Sequence, residues 1–248
     1  MVAAAEDQSE QDLNSQFETN FYGTLHILQL SLPYFRTNKI PGRYLIFSST
    51  AGALGVPGLA GYCATKYAVE GLIESMLYEV HCFGIKVTLV EPGHVASDDV
   101  QRSIVFPIDH AQDQRDPTPG AVQPSVRHYG HFFVKPNPSP PYNNPTSPAG
   151  HAKRIFQWLD TRQPTSAVRT AELVWQLAHC SYPPLRLLLG NYAVESIRDR
   201  LKCVTEEIED WKFLSFAALE SSKDALPGGE RKKSLASTSP SEGDELEE

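Results

Sequence analysis

Three short apolar runs are spaced along the chain with long helical patterns between them: Arg43 to Ser48 (RYLIFS), Lys86 to Val90 (KVTLV) and Leu185 to Leu189 (LRLLL). Runs of this length without polar alternation read as strands buried on both faces. Strands joined through helices pair in parallel by right-handed crossovers, so the pattern predicts an α/β layer fold. The first helical pattern covers 9–37, where Leu13, Phe17, Phe21, Leu25, Leu28 and Leu32 recur at helical spacing. Ser9 and Asp12 form a capping-box pattern at its start, and Pro33 predicts a kink or stop near its end. The second covers 60–82, with Val69, Leu72, Ile73, Met76 and Val80 on one side and Gly84 closing it. Further helices are expected at 150–161, 168–179 and 192–218, and Glu91-Pro92-Gly93 is expected to stop the second strand.

Composition narrows the function. A formal net charge of −8 argues against a nucleic-acid partner, which needs clustered Lys and Arg. No apolar run approaches the roughly 20 residues that span a bilayer, and the start MVAAAEDQSEQ is too acidic for a secretory signal. Cys63, Cys82, Cys180 and Cys203 form no C-x-x-C pair, so free thiols in the cytoplasm are expected, without a metal site. Residues 98–150 change character, with PNPSPPYNNPTSP as the extreme, and read as a mobile loop or lid. From Ser221 the chain lacks periodicity, so 221–248 is expected to be a disordered tail behind a domain at 1–220.

Tyr62 and Lys66 lie four apart at the start of the second helix and project from one face. An ammonium beside a phenol stabilises phenolate, which moves the phenol toward acid–base work at neutral pH. Ser48, Ser49 and Thr50 follow the first apolar strand, at the end where open parallel sheets bind ligands. Ser49 stands thirteen residues before Tyr62 across a glycine-rich loop, and its hydroxyl could bond a carbonyl oxygen as charge develops there. Gly52, Gly55 and Gly58 are spaced G-x-x-G-x-x-G and interrupted by Pro57, the pattern of a loop rather than a phosphate cradle.

The run LIFSSTAGALGVPGLAGYCATKYAVEGL resembles the active-site region of short-chain dehydrogenases/reductases: strand, Ser-Ser, glycine loop, Tyr-x-x-x-Lys helix. ETNFYGTL resembles that family's catalytic-asparagine segment, VEPGHVAS its Pro-Gly turn at the nicotinamide, and PPLRLLLGNYAVESIR its last strand and closing helix. The resemblance covers about residues 8–215 and implies a partial Rossmann-like, doubly wound parallel sheet. It implies a catalytic set of Asn20, Ser49, Tyr62 and Lys66. Tyr62 would exchange the proton at the substrate oxygen, and Lys66 would bind the nicotinamide ribose and lower the Tyr62 pKa. Ser49 would orient the carbonyl, and Asn20 would hold a water joining Lys66 to solvent. Asn20, Tyr62, Lys66, Pro92, Gly93, Val95 and Ser97 would contact NAD(P), with NADP favoured, and 98–150 would be the substrate loop.

Only nineteen residues precede Asn20, so the family's glycine-rich strand-turn-helix and Asn-Asn-Ala-Gly strand end are not among them. The expected consequences are an exposed edge at 43–48, helices at 9–37 and 60–82 short of apolar partners, and weak dinucleotide binding. Two readings follow. One is an NAD(P)-dependent oxidoreductase acting on a carbonyl or alcohol, a homo-oligomer paired through the helices at 9–37 and 60–82. The other is a truncated, inactive chain that pairs with a complete homologue.

Overall fold

The computed structural model describes residues 1–95, 127–129, 132–162 and 165–215. Ser97, most of the expected substrate loop and the expected tail lie outside the described residues. The chain divides into Met1–Val204, which holds the sheet, and Thr205–Glu248, whose described part is the end of the last helix with Trp211 stacked on Phe213.

Helix α1 (Glu10–Phe17) starts at the expected capping box: the Ser9 amide donates to Asp12 Oδ2 at 3.0 Å, and the Asp12 amide to Ser9 Oγ at 3.2 Å. A π-helical turn, Glu18–Tyr22, then joins it to α2 (Gly23–Asn38). Helix α2 continues past Pro33, which does not stop it, and ends only at Lys39, which adopts the left-handed conformation with φ 52°. Proline removes one amide donor, but the residues after it are anchored: Phe35 packs edge-on against Tyr44 at 5.7 Å, which holds the last turn in place.

Strand β1 (Arg43–Phe47) pairs in parallel with β2 (Lys86–Pro92) from Arg43↔Lys86 to Phe47↔Val90. On its other side β2 pairs in parallel with β5 (Arg186–Leu189), giving the order β1-β2-β5. Strand β2 continues two residues beyond the expected stop, through Glu91↔Leu188 and Pro92↔Leu189. Pro92 is tolerated because it is the strand's last residue. Helix α3 (Ala60–Val80) crosses between β1 and β2 and packs Val69, Ile73, Met76 and Val80 against Val87 and Leu89 of the sheet and Leu28 of α2. A 3-10 turn and Gly84 (φ 68°) close it.

The stretch 98–150, expected as loop, contains ordered elements where it is described. Strands β3 (Arg127–Tyr129) and β4 (Phe132–Val134) form an antiparallel pair, and Pro140–Tyr142 makes a 3-10 turn. Val2 bridges Val134 in parallel, its amide donating to the Phe133 carbonyl at 2.6 Å. Three-residue strands are too short to show periodicity, so this hairpin leaves no pattern in the sequence. Helices α4 (Pro148–Arg162), α5 (Ala167–His179) and α6 (Asn191–Ser215) complete the order. Among the described residues β1 pairs on one side only, and Phe47 at its end is 52% exposed, in line with the expected edge.

Candidate active site

Two turns meet at the carboxyl ends of β1 and β2. The Ser48 amide donates to the Val90 carbonyl at 2.9 Å, extending the ladder by one residue, and a 3-10 turn follows at Thr50–Gly52. Ser49 caps that turn, its Oγ accepting the Ala51 amide at 3.2 Å. Its hydroxyl is also hydrogen-bonded to the Tyr62 phenol across the loop. Tyr62 is in the first turn of α3, and Gly61 before it is where α1 comes closest. A Cβ at Gly61 would lie 2.5 Å from Gln8 Oε1 and 2.8 Å from a Leu13 methyl, so glycine is what lets α1 pack there.

Burial pushes the Tyr62 phenol above its ordinary value, and the Ser49 hydrogen bond works against that rise. Lys66 stands one turn further along, its Nζ 5.7 Å from the centre of the Tyr62 ring and donating to the Phe47 carbonyl at 3.0 Å. The phenol is shifted upward by desolvation, against the expected lowering by Lys66, whose ammonium donates to the strand end instead. Burial also lowers Lys66 itself, with the Glu70 charge acting the other way.

Asn20 lies in the π-turn, and its Nδ2 donates to Thr65 Oγ1 at 3.0 Å. Thr65, fully buried, donates in turn to the Tyr62 carbonyl at 2.7 Å, so Asn20 is tied to the helical turn that presents the phenol. Pro92, Gly93 and Val95 form the second turn, beyond β2. A Cβ on Gly93 would meet Tyr192 Cδ1 at 3.0 Å and the Ala193 amide at 3.1 Å, and Val95 bridges Thr165. Asn20, Ser49, Tyr62 and Lys66 are therefore joined through α3 and the β1 end, while Gly93 and Val95 lie against Tyr192, Ala193 and Thr165.

Sequence reading missed the wall of this crevice. Phe132 packs edge-on against Tyr62 at 4.9 Å and stacks on Phe156 at 5.0 Å, with His94 6.5 Å beyond Phe156. Neither phenylalanine sits in a recognisable pattern; only their meeting around Tyr62 identifies them. It also missed a buried ionic cluster beneath the turn. Arg186 of β5 lies 3.4 Å from Glu70 Oε2, 3.3 Å from Glu74 Oε2 and 3.4 Å from Glu91 Oε1. Its signal was available: Glu70, Glu91 and Arg186 are charges inside otherwise apolar stretches of helix and strand. A separate cavity of about 460 Å³ is lined by Val2, Val134, Tyr142 and Lys153, not by Tyr62, Ser49 or Lys66.

The short chain dehydrogenase family model matches residues 1–104. An oxidoreductase of Botryotinia fuckeliana, BOA17, is 29% identical over 217 residues, covering 88% of this chain and 67% of its own length. A 3-ketodihydrosphingosine reductase of Bacteroides thetaiotaomicron is 41% identical over 90 residues, covering 36% of this chain and 33% of its own. Among solved structures, a short-chain dehydrogenase from Streptomyces avermitilis superposes with a TM-score of 0.67 at 27% identity, covering 88% of this chain and 66% of the other. A short chain dehydrogenase/reductase from Burkholderia phymatum, in complex with NAD, shares the fold with a TM-score of 0.57 at 18% identity, over 83% of this chain and 63% of the other. The chain thus spans about two thirds of the longest-matching relatives, and much less of those matched only locally. With a parallel α/β sheet, a Ser-loop-Tyr-x-x-x-Lys arrangement at its carboxyl end and these relatives, the chain is similar to short-chain dehydrogenases/reductases, whose family model matches its residues 1–104.

Proposed function

We propose that this chain carries the reaction centre of an NAD(P)-dependent oxidoreductase that interconverts a small-molecule carbonyl and its alcohol. The observation that carries this reading is the hydrogen-bonded Ser49–Tyr62 pair with the Lys66 ammonium 5.7 Å from the phenol ring. In reduction, Ser49 donates to the carbonyl oxygen and Tyr62 delivers a proton to it as charge develops. Lys66 stabilises the phenolate that remains until solvent returns the proton. A bound nicotinamide supplies the hydride at the carbonyl carbon.

The donor set fits the nicotinamide–ribose end of such a cofactor. Lys66, at the carboxyl end of β1, and Tyr62, one turn before it, would present donors to the ribose, and the Pro92–Val95 stretch at the end of β2 would lie toward the nicotinamide. Asn20 would steady the Tyr62 turn, and Ser97 would add a hydroxyl. Burial raises the phenol above its ordinary value, which favours the protonated form that gives a proton to the carbonyl oxygen. Phe132 and Phe156 give the crevice an aromatic wall suited to an apolar substituent on the carbonyl.

The reading includes a homo-oligomer, supported by Ile27, Leu30 and Tyr34 of α2, which are 66%, 81% and 60% exposed. It includes a cytoplasmic location, supported by four free cysteines; no described helix is long and apolar enough to cross a membrane. A second reading, an inactive chain pairing with a complete homologue, is favoured by the one-sided pairing of β1. The test is oxidation of NADPH and NADH by the purified chain over a panel of aromatic and aliphatic carbonyls, with binding measured by calorimetry. Tyr62→Phe is expected to lower turnover by about a hundredfold or more while leaving cofactor affinity within a few fold. Equal turnover in the variant overturns the catalytic reading, and absence of both binding and turnover favours the second.

A further inference from the structure

On the reading of Ser49 and Tyr62 as the reacting pair, we propose that Glu70 is a positioning residue, the anchor by which helix α3 holds the Ser48–Gly52 turn and so sets Ser49 against Tyr62.

One carboxyl group bonds the start of the turn and lies against its end. At its start, Ser48 Oγ donates to Glu70 Oε1 at 2.7 Å in a buried contact. At its end, Gly52 passes so close that a Cβ there would lie 2.2 Å from Glu70 Oε1 and 2.7 Å from its carboxyl carbon. Ser49 is the residue after that bond, and its carbonyl accepts the Gly52 amide at 2.8 Å. Glu70 follows Tyr62 by eight residues and Lys66 by four, so all three share one face of the helix. The distance between the phenol and the turn that carries the serine is therefore fixed by a rigid element rather than by the loop Ala53–Leu59.

The charged and polar groups around Glu70 come from four elements. Arg186 of β5 lies 3.4 Å away, and Ser48 faces it from the β1 end. Glu91 of β2 and Glu74 of α3 both share that guanidinium, and Lys66 of α3 feels the Glu70 charge. Glu91 is fully buried with neither oxygen hydrogen-bonded, and burial followed by the Glu70 charge pushes it up to about 7. Glu70 is thus the carboxyl of the buried pair that both accepts the hydroxyl and meets the cation, which is what an anchor requires.

The test is amide hydrogen exchange on the full chain, comparing the parent with Glu70→Ala and Glu70→Gln. The Gly52, Ala53 and Leu54 amides, bonded to Ser49 and Thr50 carbonyls at 2.8, 3.1 and 3.0 Å, report the turn, and the Leu89 amide reports the sheet. Glu70→Ala is expected to speed exchange at the three turn amides about tenfold with Leu89 unchanged. Glu70→Gln, which keeps an acceptor for Ser48, is expected to restore most of the protection. Unchanged turn amides, or the same acceleration at Leu89 as in the turn, overturns the proposal. Should Glu70→Ala not fold, Ser48→Ala removes only the hydrogen bond and decides the matter by the same amides. In the carbonyl assay, Glu70→Ala is expected to lower kcat about tenfold with KM within twofold. If parent and Tyr62→Phe are equally inactive, the reaction assignment fails and the exchange result alone judges the anchor.

Discussion

One turn of helix α3 separates two regions that treat polar groups in opposite ways. Around Tyr62 and Lys66 the groups are half-buried, each with a partner: phenol to serine, ammonium to a strand carbonyl. Glu70 and Glu91 are buried to 5% and 0% exposure, and together with the exposed Glu74 they share one guanidinium. The first region can lose a group and keep its structure, because water can reach what is left. The second cannot, because a buried charge without its counter-charge has nowhere to go. What the difference teaches is that, on the proposed reading, activity and stability would be carried by neighbouring but separable residues.

The sharpest way to break that separation is Arg186→Met. Removing the guanidinium leaves Glu70 and Glu91 facing each other without a cation, and the expected loss is about 3 kcal/mol. The low end of the usual range is expected because the Arg186 side chain is 37% exposed and part of its interaction is screened by water. Urea unfolding measures it, and a loss no larger than that of a surface residue would dissolve the contrast.

Glu91→Gln tests the same region through pH. The folded pKa of Glu91, raised to about 7 by burial and then by Glu70, lies above its ordinary 4.5. The native state therefore holds a proton that the unfolded chain has released, so this contribution is full below the ordinary value and is lost as pH rises through about 7. The parent is expected to lose up to about 3 kcal/mol relative to Glu91→Gln between pH 4.5 and pH 8. Melting curves of both chains at several pH values check it; parallel pH profiles would remove the buried carboxyl from the account.

Ser49→Ala probes the other region and is expected to cost about 1 kcal/mol or less in stability, one partly exposed hydrogen-bond group. Its effect belongs in turnover instead, with a fall of about tenfold or more in carbonyl reduction. A large stability loss with little change in rate would reverse the assignment of roles.

The two regions also differed in how far the sequence disclosed them. Tyr62, Lys66 and Ser49 were legible because their chemistry is carried by spacing along one strand, loop and helix. The capping box at Ser9 and the three parallel strands were legible for the same reason, each being a local pattern. Glu70, Glu91 and Arg186 come from a helix and two strands, with 116 positions between Glu70 and Arg186, and no local window contains them. Phe132 and Phe156 were hidden likewise, one in a three-residue strand and the other on α4. Helix α2 runs past Pro33 to Asn38, within a residue of the expected 37, whereas the extent of β2 through Pro92 was misjudged because proline is a local signal that position in the strand can override.

The π-turn at Glu18–Tyr22 has a consequence for how α1 and α2 may vary. Such a turn is an added residue, and each residue advances a helix by about 100°. Removing one position between Glu18 and Tyr22 would leave an unbroken helix but rotate everything on one side of it by that angle. Either Leu28 would swing out of the core or Asn20 would swing away from Thr65. The turn acts as a phase lock between a stretch that packs the core and the residue that bonds Thr65, so a change of length there is expected to disturb more than a substitution.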